Sequence, residues 1–111
     1  MILVIGGNNQ GKKDYAKTLF PDAEIWDKLH LYIKEQLEKG LSEEEIFFEI
    51  KEKNKEGQWV LIADEIGNGV VPMDLADRKW RDVSGRILID LAKEASEVHR
   101  VVCGIGQKIK G

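Results

Sequence analysis

The stretch Met1–Ala16, MILVIGGNNQGKKDYA, is the part of this chain that predicts its fold. The apolar run Ile2–Ile5 is short and rich in β-branched residues, and Gly6 and Gly7 close it, which is typical of a strand buried on both faces of a parallel sheet. Helical spacing follows over Lys12–Phe20 and ends before a proline, which cannot extend a helix. The opening therefore predicts a strand, a glycine-rich loop and a helix.

The loop between this strand and this helix fits the pattern G-x-x-x-x-G-K of a phosphate-binding loop. Glycines let backbone N–H groups converge on phosphate oxygens, the helix adds its positive end, and a lysine adds a full charge. A purely structural glycine turn is the alternative. The candidate nucleotide-binding residues are Gly6, Gly7, Asn8, Asn9, Gln10, Gly11, Lys12 and Lys13.

Lys13 stands where such loops carry a serine or threonine, whose hydroxyl holds Mg²⁺. An ammonium group cannot ligate a metal ion and repels it. Two interpretations follow. Either carboxylates hold Mg²⁺ through water molecules, or Lys13 helps Lys12 to offset phosphate charge and the metal matters less.

The rest of the chain alternates helical and strand patterns. Helices are predicted over 28–39, from Ser42 to about 55, and over about 74–95; strands over 59–63 and 98–103, with a further short strand at 23–27; and a basic tail over 104–111. The connections are too long for hairpins, so we expect an α/β fold with a small, mostly parallel sheet of three or four strands and helices on both faces. The edges of so small a sheet need cover, and we expect a second copy to supply it, as a homo-oligomer.

Composition limits the classes of partner. A length of 111 residues predicts one domain, and a net charge of −3 gives no attraction to nucleic acid or to anionic membranes. The apolar N-terminus is too short for a signal peptide, and no window reaches the roughly 20 apolar residues of a membrane span. The lone cysteine, Cys103, is expected in the core and fits a reducing cytoplasm. His30 and His99 have no metal-binding spacing and are expected to be structural or surface residues.

Acidic residues at the predicted strand ends are the candidate catalytic residues: Asp27, Asp64 and Glu65. In phosphate-transferring α/β folds a carboxylate at the end of a neighbouring strand contacts the metal ion or orients the nucleophile. The alternative is that these side chains cap helices or face water.

Arginines on the long predicted helix form the last candidate group. Arg78, Arg81 and Arg86 lie at near-helical offsets. They are either a clamp on a phosphate or carboxylate or an ordinary charged helix face.

Two motifs in the second half of the chain resemble a known family. DEIGNGVVP at 64–72 and R-x-x-R-D-x-x-G-R at 78–86 are similar to the N-E-V-G-x-G-I-V-P and R-x-x-R-D-x-x-G-R of the bifunctional adenosylcobinamide kinase and adenosylcobinamide-phosphate guanylyltransferase family of cobalamin biosynthesis. The loop, the stretch 27–32 and the C-terminal segment 104–110 also resemble that family. The resemblance implies a single P-loop nucleotide-binding domain over residues 1–111, ATP or GTP as the nucleotide, a corrinoid such as adenosylcobinamide as the substrate, and a homotrimer.

The chain also departs from the family pattern. The family's extra segment, with the histidine that becomes guanylylated, is replaced by the short stretch 19–26, which contains no histidine. Lys13 replaces the loop serine, Asp64 an asparagine, and Leu88-Ile89 an Asn-Gln pair. The missing segment implies a kinase without guanylyltransferase activity, and the substitutions affect positions that would contact the metal ion and the substrate. The alternatives are a non-catalytic nucleotide- or corrinoid-binding partner protein and a scaffold that binds no nucleotide.

Overall fold

The computed structural model of the protein describes residues 1–66 and 74–111. The motif predicted at 64–72 therefore lies mostly outside the described residues. The elements, in chain order, are β1 (Ile2–Gly6), α1 (Lys12–Leu19), β2 (Glu24–Trp26), α2 (Leu29–Glu38), α3 (Glu43–Lys53), β3 (Trp59–Asp64), α4 (Leu75–Glu94), β4 (Glu97–Val102) and β5 (Ile105–Lys110).

The strands form one sheet in the order β2-β3-β1-β4-β5. The pairings of β2 with β3, β3 with β1 and β1 with β4 are parallel, and β5 runs antiparallel to β4 at the edge. In the register of the central pair, Gly6 lies opposite Asp64. The predicted α/β class with a mostly parallel sheet is confirmed, and the carboxyl ends of β1 and β3 meet at one edge of the sheet.

Helices cover both faces of this sheet, as predicted. Helix α1 packs on one face, where the buried residues are Val4, Ala16, Val60, Ile62 and Val101. Helices α2, α3 and α4 cover the other face, where the buried residues are Leu3, Leu29, Ile33, Ile46, Ile50, Leu61, Ala63, Val83, Ile87, Leu91, Ala95 and Val98. Because both faces are buried, the central strands are continuously apolar instead of alternating.

Local capping explains where two of the helices begin. The Ser42 hydroxyl accepts a hydrogen bond from the Glu45 amide, and the Glu45 carboxylate accepts one from the Ser42 amide, which completes the predicted capping box of α3. The Asp74 carboxylate accepts a bond from the Asp77 amide at the start of α4. The predicted boundaries of these elements agree with the structure to within two residues.

The C-terminal segment corrects two predictions. Residues 104–111, predicted as a basic tail, contain β5, so the sheet has five strands instead of three or four. Cys103 and Gly104 form the two-residue turn before it, with φ of 51° and 75°. Two consecutive positive φ angles match the twist that a tight hairpin requires. Cys103 is consequently exposed, and the prediction from its apolar neighbours that it lies in the core is wrong.

Candidate functional site

A cavity of about 670 Å³ opens where the carboxyl ends of β1 and β3 meet the N-terminus of α1. Ligands of open α/β sheets bind at this end of the strands. The cavity is lined by Asn8, Asn9, Gln10, Gly11, Lys12, Lys13, Asp14, Asp27, Lys28, His30, Leu31, Asp64, Glu65, Ile66 and Trp80. The structure thus brings most of the predicted loop residues together with all three predicted acidic residues.

Two glycines of the loop, Gly6 and Gly11, are required by its backbone geometry. A Cβ on Gly6 would lie 2.5 Å from the carbonyl oxygen of Val101, so the strand end has no space for a side chain. Gly11 precedes α1 in the left-handed region, with φ of 82°, as does Asn9 with φ of 57°. The loop curls tightly before the helix and leaves the first amides of α1 at the cavity.

The back of the loop is held by the β4–β5 turn. The Gly104 amide donates to the Gln10 carbonyl oxygen at 2.7 Å, and the Cys103 amide donates to the Gln10 side-chain oxygen at 2.6 Å. The hairpin that the sequence analysis missed therefore positions the candidate phosphate-binding loop.

Lys12 is the buried cation of the site, with 8% of its surface exposed. Its ammonium group donates to the Gly7 carbonyl oxygen at 2.6 Å and pairs with the Asp64 carboxylate at 2.7 Å. A buried lysine requires such partners because an isolated charge is costly to bury. The ammonium group of Lys12 is thus held by an internal carboxylate.

His30 contacts both the main chain and the side chain of Asp64. Its Nδ1 accepts a hydrogen bond from the Asp64 amide at 3.0 Å, so the neutral ring carries its proton on Nε2, which faces the Asp64 carboxylate at 3.4 Å. Burial lowers the pKa of His30 below 6.5, although Asp64 acts in the opposite direction. His30 of α2, Asp64 of β3 and Lys12 of α1 thus form a connected series of contacts.

Lys13 and Asp27 face each other at the exposed part of the cavity. The Lys13 ammonium lies 4.0 Å from the Asp27 carboxylate, and the two side chains are 53% and 29% exposed. Asp27 also accepts a hydrogen bond from the Lys28 amide at 2.9 Å. The remaining acidic candidate, Glu65, pairs with Arg100 of β4 at 3.2 Å.

The arginines of α4 lie outside the cavity lining. Arg86 pairs with Glu43 at 2.8 Å and Arg81 with the adjacent Asp82 at 3.4 Å, while Arg78 is exposed. Their predicted role in binding anions stays a prediction, and the described structure does not bring them to the loop.

Six residues that line the cavity were not predicted as site residues: Asp14, Lys28, His30, Leu31, Ile66 and Trp80. His30 had been interpreted as a structural or surface residue, and Trp80 as part of the apolar stripe of α4. The Trp80 indole donates to the His30 carbonyl oxygen at 2.8 Å, and Lys34 lies over its ring. A weak signal existed for His30, since it follows Asp27 by three residues at the start of a helix.

The sheet order, the glycine loop between the first strand and helix, and the buried lysine after it define a P-loop-like α/β protein. A comparison with protein-family models matches residues 22–109 to the family described as cobinamide kinase / cobinamide phosphate guanyltransferase. The chain belongs to this family. The matched range begins after the loop, so the interpretation of residues 6–13 depends on their own geometry.

Curated relatives cover a smaller part of the chain. The bifunctional adenosylcobalamin biosynthesis proteins CobU of Escherichia coli K12 and of Salmonella typhimurium LT2 are each 49% identical to it over 51 residues. This alignment spans 46% of the chain and 28% of the length of each relative. Within residues 1–66 and 74–111, no helix has the length and apolar character needed to cross a membrane.

Proposed function

We propose that this protein binds ATP or GTP at the loop 6–13 and transfers the terminal phosphoryl group to a hydroxyl of a corrinoid such as adenosylcobinamide. The observation that carries the proposal is the position of Lys12. Its buried ammonium lies between the loop carbonyl of Gly7 and Asp64, on the first residue of α1. A corrinoid is proposed as the substrate because the description of the family names cobinamide.

Phosphate binding at this loop would change the pairing of Lys12. A nucleotide phosphate competes with Asp64 for the ammonium group, and the loop amides and helix N-terminus add to the attraction. Asp64 then becomes available at the cavity surface. In the transfer, the substrate oxygen bonds to the γ-phosphorus, the bond from that phosphorus to the leaving nucleoside diphosphate breaks, and the hydroxyl proton passes to a carboxylate. Asp64, Asp27 and Glu65 are the candidate acceptors, because all three line the cavity.

The test is an assay of phosphorylated adenosylcobinamide by mass spectrometry, with ATP or GTP as the donor. We expect product with the parent protein and a loss of at least about 100-fold with Lys12→Met, since a buried charge on the transferring phosphates is removed. Lys17→Met is the matched control, because Lys17 lies on the same helix but outside the cavity lining. Equal rates for Lys12→Met and Lys17→Met would contradict the proposal.

A second candidate function is favoured by Lys13, whose ammonium occupies the place of a metal-binding hydroxyl. The protein would then be a non-catalytic nucleotide- or corrinoid-binding partner. Equilibrium dialysis that detects ATP, GTP or corrinoid binding, together with no phosphorylated product, would support this candidate over the kinase.

Three further features belong to the proposal. We propose that guanylyltransferase activity is absent, because the stretch 19–26 holds no histidine; a stable adduct with radiolabelled GTP would contradict this. We also propose a homotrimer, which sedimentation equilibrium tests directly. We propose a cytoplasmic location, because a chain with a single cysteine cannot form an internal disulfide and fits a reducing compartment.

A further inference from the structure

Two ammonium groups on consecutive residues reach the same cavity. Lys12 and Lys13 are the first two residues of α1, and both line the cavity. Lys12 points inward and is buried, whereas Lys13 is half exposed and reaches toward Asp27 on the opposite side. The positive end of the helix lies at the same place.

Mg²⁺, which the P-loop class implies, does not fit the donors that this chain presents. The hydroxyl that would ligate it is replaced by the Lys13 ammonium. Each carboxylate at a strand end already faces a cation: Asp27 faces Lys13, Asp64 faces Lys12, and Glu65 faces Arg100. In the part of the chain that the structure describes, no three metal-ligating side chains converge.

The Lys13–Asp27 pair is the loosest of these contacts. Its 4.0 Å separation is the longest of the three, and the lysine is 53% exposed. Exposed pairs at such separation contribute little, so Lys13 loses little when it turns from Asp27 to a phosphate oxygen. A divalent cation entering beside Asp27 would lie next to the Lys13 ammonium group and would be repelled by it.

We propose that the cavity binds the nucleoside triphosphate in its metal-free form, with the Lys13 ammonium in the role that Mg²⁺ has in related loops. This inference rests on the proposed nucleotide binding and specifies its ligand: the triphosphate anion, neutralised by two lysines, instead of the magnesium complex.

The test is isothermal titration of ATP into the purified protein, once in EDTA and once in excess Mg²⁺. We expect the parent protein to bind ATP at least about tenfold more weakly in excess Mg²⁺ than in EDTA, because Mg²⁺ converts the free triphosphate into a complex that the Lys13 ammonium repels. For Lys13→Ser, which restores the hydroxyl, we expect affinity in EDTA to fall by at least about tenfold and Mg²⁺ to restore most of it.

Two further variants separate charge from side-chain volume and from folding. Lys13→Met removes the charge without adding a hydroxyl, so its affinity should fall in EDTA and remain low in Mg²⁺. Lys17→Ser removes a charge from the same helix outside the cavity, and it should behave as the parent. Circular dichroism confirms that each variant is folded.

The possible failures are distinguishable. Equal or tighter binding of ATP to the parent with Mg²⁺, or an unchanged affinity of Lys13→Met in EDTA, would overturn this inference and leave nucleotide binding intact. No binding under either condition would overturn the proposed nucleotide site together with this inference.

Discussion

The ion pair between Lys12 and Asp64 predicts a measurable energetic coupling between the two residues. Lys12→Met keeps an apolar stem of similar length but removes the ammonium group, and Asp64→Asn removes the charge of its partner. Each single variant removes one charge of the 2.7 Å pair and leaves the other unpaired, and the double variant removes both. We therefore expect the double variant to lose less unfolding free energy than the sum of the losses in the two single variants.

The structure sets the magnitude of this coupling. Lys12 loses two charge-assisted hydrogen bonds, to Gly7 and to Asp64, each of which contributes about 1.5–3 kcal/mol when buried. The larger penalty of a fully buried unpaired charge does not apply, because Asp64 is 22% exposed and water reaches it. Removal of the buried ammonium group also relieves its desolvation cost, so we expect Lys12→Met to lower the free energy of unfolding by less than the sum of the two bonds, about 2–3 kcal/mol, and the coupling energy to be about 1–2 kcal/mol.

Urea denaturation of the parent, the two single variants and the double variant at pH 7 measures this coupling. Lys17→Met is the control for loss of a lysine from α1, and it should change stability by less than about 0.5 kcal/mol. Additive effects of the two single variants, to within about 0.5 kcal/mol, would refute the conclusion that Lys12 and Asp64 stabilise each other.

Three other changes have defined outcomes. Gly106→Ala places a Cβ into the Tyr15 ring and should lower the melting temperature through an overpacking cost of about 1–3 kcal/mol. Gly85→Ala, in the exposed middle of α4 with open space around it, should instead raise stability by about 0.5–1 kcal/mol, and the reverse order in calorimetry would contradict the packing. Because the pKa of His30 is lowered in the folded state, its contribution is complete above about pH 6.5 and is lost as the pH falls below that value. His30→Gln, which preserves a hydrogen-bond acceptor, should therefore reduce the loss of stability between about pH 7 and pH 5, and an unchanged pH profile would count against the neutral ring.

Much of the fold could be predicted because strong local signals coincide with the global arrangement. Two short apolar runs, the β-branched one before Gly6 and the one over 59–63, are typical of central strands that are buried on both faces of a parallel sheet. The capping box at Ser42 is a purely local arrangement, so spacing alone identifies it.

The last strand could not be predicted for a physical reason. The segment IGQKIK has little apolar character and is exposed almost throughout, so its strand conformation depends on pairing with β4 instead of burial. Its turn, Cys103-Gly104, lacks the asparagine or aspartate that usually marks a tight hairpin. The strand conformation of β5 thus depends on hydrogen bonds to β4, and such pairing leaves no pattern in the local sequence.

The candidate site was predicted in its loop and its acidic residues but not in its internal pairing. That Lys12 lies against Asp64 follows from the register of β1 and β3, which a single sequence does not contain. The role of His30 depends on a contact across 34 residues, to the amide of Asp64. The structure also places the three arginines of α4 away from the loop, although their spacing on the helix was correctly predicted.

The two hydrogen bonds that join Gln10 to the hairpin turn make the far end of the chain a natural reporter of what the loop holds. The amide protons of Cys103 and Gly104 exchange with solvent only when those bonds open. An anion that binds the loop more tightly when these two hydrogen bonds are formed must also favour their formation. By thermodynamic reciprocity, it slows the exchange of the two amide protons by the same factor by which the formed bonds increase its affinity. Binding of an anion at the loop can thus be followed by the exchange of the Cys103 and Gly104 amide protons, which lie outside the cavity lining.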